Sequence, residues 1–118
     1  MDNRFINNPF DILMKVFDTY CLDKIKIVFD EKLKPKRFLM FTIGACGYTT
    51  FNDDGSITIN ISTNIPFEAM VETLAHELAH VMTGPTKEEH SITWEKNFRR
   101  IHEDYNRILS ERCTNKEV

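Results

Sequence analysis

The apolar positions of the chain change period several times, and each change marks an element. Phe10, Leu13, Met14, Phe17 and Cys21 recur at helical spacing after Asn8-Pro9. This predicts a first amphipathic helix with Asn8 near the N-cap and Pro9 in the first turn. Its apolar face is expected to act as scaffold, because so small a core needs it. Ile25, Ile27 and Phe29 then alternate with Lys26 and Val28, the period of a half-buried strand. After a Lys34-Pro35-Lys36 turn, Phe38 to Ile43 is an almost continuous apolar run, which predicts a central strand covered on both faces. Gly44-Ala45-Cys46-Gly47 breaks that run, and Asn52-Asp53-Asp54-Gly55 supplies turn chemistry between Tyr48 to Phe51 and Ser56 to Ser62. These two segments read as a hairpin in which Ile57, Ile59 and Ile61 share one face and Thr58, Asn60 and Ser62 the other.

The helical period returns from Pro66 to Met82. Phe67, Met70, Val71, Leu74, Leu78 and Val81 fall on one side, while Ala69, Thr73, His76 and His80 fall on roughly the opposite one. The histidines are therefore expected to point away from the core, toward a cleft. Gly84-Pro85 stops this helix. Thr86 and Glu89 form a capping-box pattern for a last helix reaching about Arg112, with a stripe of Trp94, Phe98, Ile101, Tyr105, Ile108 and Leu109. His90 lies along the edge of that stripe in the first turn, and the polar tail from Thr114 to Val118 is expected to fray. The order of elements predicts an α+β fold: an N-terminal helix, a small three- to four-stranded sheet, a middle helix and a C-terminal helix.

Composition narrows the picture. The chain has 118 residues, 42% hydrophobic and 28% charged, as expected of one globular domain spanning residues 1–118. A net charge of −3 argues against nucleic-acid binding through bulk charge. Lys24 to Arg37 nevertheless holds six basic and two acidic residues, read as a solvated face before a phosphate contact. Cys21, Cys46 and Cys113 are odd in number and widely spaced, and Met1-Asp2-Asn3-Arg4 lacks the charged-then-apolar start of a signal peptide. Free thiols in a reducing, intracellular (cytoplasmic) setting are expected. No apolar run approaches the roughly 18 residues that span a membrane.

The chemistry concentrates in Val71-Glu72-Thr73-Leu74-Ala75-His76-Glu77-Leu78-Ala79-His80. On a helix, His76 and His80 stand one turn apart on one face, which suits two imidazoles sharing one Zn²⁺. Glu77 projects beside them, where it can reach a water in the remaining position and take its proton. This is the HExxH arrangement of zinc metallopeptidases. A catalytic zinc needs a third protein ligand and one open position. His90 is the first candidate, because it faces inward at the start of the next helix, and Glu95 is its rival. His102 reads as a surface residue, Cys46 as a small residue in a Gly-rich turn, and Trp94 as core or pocket wall.

From about Ile43 to Asn106 the chain resembles the SprT-like zinc metallopeptidases, the Spartan-related minimal zincins. The likeness rests on Gly44-Ala45-Cys46-Gly47-Tyr48, Gly55-Ser56-Ile57-Thr58-Ile59-Asn60-Ile61-Ser62, the HExxH segment, and a histidine-aromatic pattern from His90 to Phe98 with Arg100-Ile101 beyond. Ser91 stands where the family has Gly, and the connection from His80 to His90 is shorter than in Spartan. The resemblance implies a zincin-like domain with one Zn²⁺ on His76, His80 and His90, Glu77 as general base, and a protein or peptide substrate. An extended substrate is expected to pair with Ser56 to Ser62 if that strand is the sheet edge. Tyr48 or Tyr105 is a candidate helper of the oxyanion. Two rival readings are a DNA-associated module using Lys24 to Arg37 with Arg99, Arg100 and Arg107, and a metal-binding protein without turnover.

Overall fold

The computed structural model describes residues 8–20, 25–38, 41–43, 45–85 and 91–115. Its architecture is α+β, with three helices and a small three-stranded sheet. The first helix, α1 (Pro9–Thr19), starts as its sequence implies: the Asn8 side chain accepts a hydrogen bond from the Phe10 N–H at 3.0 Å, and Pro9 occupies the first turn. Its buried residues are Ile12, Leu13, Val16 and Phe17, while Met14 is exposed. The inward stripe is thus rotated from the expected one. With six apolar residues in eleven, several stripes fit the helical period, and contact with α2 and α3 selects among them.

Strand β1 (Ile25–Asp30) pairs in parallel with β5 (Ile57–Ser62), which also pairs antiparallel with β4 (Gly47–Phe51). The sheet order is β1-β5-β4, so among the described residues β5 is central and β4 is an edge. The expected hairpin is present, closed by a turn at Gly55 (φ 88°) and by hydrogen bonds from Asn52 to the Ser56 and Thr58 hydroxyls. Ile59 and Ile61 are fully buried. So is Ser62, whose hydroxyl donates to the Leu33 carbonyl at 2.6 Å, which removes the penalty of burying it.

The apolar run from Phe38 to Ile43 does not form a central strand. It is split into β2 (Lys36–Phe38) and β3 (Phe41–Ile43), which pair antiparallel in a separate two-stranded sheet. A continuous apolar run has no alternation and so carries no information on where the chain reverses. The centre of the main sheet goes instead to β5, whose alternate isoleucines can be covered by helices.

Helix α2 (Phe67–Thr83) ends at Gly84, whose φ of 85° is open to glycine and whose N–H returns to the His80 carbonyl at 2.9 Å. Helix α3 (Ile92–Asn115) begins after Ser91, whose hydroxyl accepts from the Trp94 N–H at 3.2 Å. The capping box expected of Thr86 and Glu89 lies outside the described residues. Leu13, Val16, Ile59, Ile61, Leu74, Leu78 and Ile101, each 1% exposed or less, join all three helices to the sheet in one core. Each such side chain stabilises the fold by about 1.5–3 kcal/mol relative to exposure. None of the described helices is long and apolar enough to cross a membrane.

Candidate metal centre

Helix α2 has the sheet on one flank and α3 on the other, and the candidate site is built where these flanks meet. His76 and His80, one turn apart, bring their Nε2 atoms to 3.3 Å. Two ring nitrogens this close can share a proton or face one cation together. A zinc ion with Zn–N bonds of about 2.0–2.1 Å and tetrahedral angles places two ligand nitrogens about 3.3–3.4 Å apart, so the spacing fits. A carboxylate oxygen of Glu77 completes the group: one ligand atom from each of the three residues lies within 4.8 Å of the others. His76, Glu77 and His80 could therefore hold a metal ion. Imidazole donors suit zinc, copper, nickel or iron rather than magnesium or calcium.

The surroundings differ from expectation in one respect. The imidazoles do not stand on an open face: they lie half-buried against α3, with His76 also lining a cavity. The Trp94 ring is 4.8 Å from that of His76 and 5.4 Å from that of His80, centroid to centroid, and it stacks on Phe98 at 4.9 Å with 17° between planes. Phe98 also meets His76 at 6.0 Å. Trp94 and Phe98, one turn apart on α3, thus form an aromatic wall over the pair. Trp94 is itself only 7% exposed. Period alone could not show this, because α2 buries Ala75 and Ala79 as well as its large apolar residues. The small side chains let neighbouring elements close in on flanks that look polar in sequence.

On the other flank Glu77 is 6% exposed and accepts a hydrogen bond from the Thr49 hydroxyl of β4 at 2.7 Å. A buried carboxylate is costly without donors, and Thr49 is one that the sequence reading missed. The sequence of β4 carries no trace of this, and only the structure shows Gly47, Thr49 and Phe51 turned inward between the exposed Tyr48 and Thr50. A cavity of about 290 Å³ opens here, between the start of β4 (Cys46, Gly47) and the α2 residues Ala69, Glu72, Thr73, His76 and Glu77.

His90 lies outside the described residues. Glu95 is exposed and is not in the metal-binding group found among the described residues. His102, read as a surface residue, rests its ring 4.4 Å from Phe98 and places Nε2 3.5 Å from a Glu72 carboxylate oxygen, with its side chain 45% exposed. Neither tyrosine lines the cavity beside Glu77. Tyr48 is exposed on β4. Tyr105 lines a separate groove of about 410 Å³ with Leu13, Val71 and Ile101, and burial raises its phenol pKa. Cys46 is a free, half-buried thiol at the cavity edge. Comparisons of the chain with protein-family models, curated proteins and solved structures gave no match.

Proposed function

We propose that the chain is a zinc-dependent metallopeptidase that hydrolyses peptide bonds of a protein or peptide substrate. The observation that carries this reading is the 3.3 Å approach of the His76 and His80 Nε2 atoms with the Glu77 carboxylate beside them. The sequence resemblance to SprT-like zinc metallopeptidases supports the same reading, and it favours His90, already the first candidate from its place in the sequence, as third ligand. A bound zinc supplies a Lewis acid, which polarises a carbonyl and brings the pKa of water to about 7. His76 and His80, whose Nε2 atoms converge, would hold it. Glu77 takes one proton from the attacking water on its carboxylate and passes it to the amide nitrogen as the C–N bond breaks. The hydroxyl of that water ends on the acyl carbon, so an acid and an amine leave with no other reactant consumed.

The backbone of β4 is suited to binding an extended substrate. Ser56 to Ser62 would take that role only as a sheet edge, but β5 is flanked on both sides, and among the described strands β4 is the edge whose first residues border the cavity. A peptide added to β4 would gain main-chain hydrogen bonds next to Glu77.

The test is cleavage of an unfolded protein by zinc-loaded wild type and by Glu77→Gln, with zinc content measured on both. One equivalent of zinc in each, and activity reduced at least about 100-fold in the variant, is the expected result. Absence of bound zinc, or cleavage indifferent to the substitution, would overturn the proposal.

A further inference from the structure

The contact between β4 and α2 has a repeat. Two residues along a strand advance about 6.6 Å and four along a helix about 6 Å, so a strand residue and its second neighbour can meet helix residues one turn apart. That is the arrangement here: Gly47 meets Thr73, and Thr49 meets Glu77. The first contact sets the spacing. A Cβ at Gly47 would stand 2.7 Å from the Thr73 Cγ2 and 2.7 Å from the Asn60 carbonyl oxygen, so only glycine lets helix and strand approach this closely. One step along, that closeness brings the Thr49 hydroxyl within 2.7 Å of a Glu77 oxygen.

The geometry points to Thr49 as a positioning residue for Glu77, fixing the rotation of the carboxylate from the edge strand proposed to bind substrate. Its hydroxyl acts through Glu77, the group it bonds. This inference rests on the hydrolytic reading above. A glutamate side chain has three rotatable bonds, and proton transfer needs its oxygen within hydrogen-bond reach of the water. A fixed donor on one oxygen removes the freedom that would spoil that reach. Placing the donor on β4 ties the orientation of Glu77 to the strand beside the cavity.

Thr49→Val keeps the shape and removes the hydroxyl, while Thr49→Ser keeps the hydroxyl. Two measurements test the inference. In metal-free protein, a denaturation cycle of Thr49→Val with Glu77→Leu, which removes the acceptor oxygens, is expected to be non-additive by about tenfold in the unfolding equilibrium constant, the size of a buried hydrogen bond. In zinc-loaded protein, Thr49→Val is expected to lower kcat about tenfold with KM within twofold and zinc affinity unchanged, and Thr49→Ser to recover most of kcat. Additive stabilities would overturn the contact. A loss carried by KM, or no rescue by serine, would overturn the positioning role while leaving hydrolysis intact. Wild-type protein that binds zinc but cleaves nothing would overturn the hydrolytic reading and the role with it, even if the cycle is non-additive.

Discussion

The two flanks of α2 do different work. Toward α3, the His76 and His80 rings meet a stacked Trp94 and Phe98 in an aromatic contact that is continuous with the hydrophobic core. Toward β4, the contacts are one hydroxyl on one carboxylate and a glycine that lets the backbone close in. The first flank holds the candidate ligands by packing, so damage there is expected to cost stability. On the second, the Thr49 hydroxyl orients a single group by a directional bond, and loss of that bond is expected to cost rate, while the glycine contact beside it is steric.

Replacing Trp94 with alanine is the strongest test of that division. It removes a buried indole and should destabilise the protein by about 3–5 kcal/mol in chemical denaturation. That is a large share of the roughly 5–15 kcal/mol that holds such a domain together. Trp94→Phe should recover part of the loss. A Trp94→Ala protein as stable as wild type would show that the aromatic wall is not part of the core. Next in size, His76→Ala or His80→Ala should weaken zinc binding about 100-fold or more in chelator competition, roughly 2.7 kcal/mol. Glu77→Gln should leave zinc affinity nearly unchanged, which separates the two flanks directly.

On the β4 side, Gly47→Ala forces a methyl against the Asn60 carbonyl and Thr73 and should cost about 1–3 kcal/mol. Denaturation midpoints would measure it, and a neutral result would mean that strand and helix part freely. The smallest expected effect lies away from both flanks, where α1 ends on α3. Tyr20 donates a hydrogen bond to Asp104, and the Arg100 guanidinium sits 5.0 Å over its ring. Burial, then the Asp104 hydrogen bond and charge, push the phenol from 10.0 up to about 12, with Arg100 opposing. The folded protein therefore keeps this proton where the unfolded chain loses it. The associated stability is whole below pH 10 and is lost as the pH rises through about 12. Tyr20→Phe should flatten the alkaline end of a stability profile without altering either flank of α2.

Local signals in the sequence were faithful where local physics decides. The Asn8-Pro9 start of α1, the turn ending at Gly55, the Gly84 stop of α2 and the pairing of His76 with His80 on one helical face are all set within a few residues, and all are present. What could not be read depends on partners distant in the chain. β2 and β3 pair with each other in a sheet of their own, while β5 takes the centre of the main one. The 50% exposure of Phe67, read as inward-facing, reflects its place in the first turn of α2, where it meets Phe10 edge-on. The burial of the imidazoles comes from a helix that starts after the motif ends. The bond from Thr49 to Glu77 joins residues 28 apart, and a threonine in a strand carries no mark of what it will face.

The chain has a single tryptophan, and Trp94 lies against both imidazoles of the candidate centre. Its fluorescence is therefore a reporter already installed at the site, with no second indole to dilute the signal. Binding of a metal ion at the candidate centre would be readable optically in the unlabelled native protein.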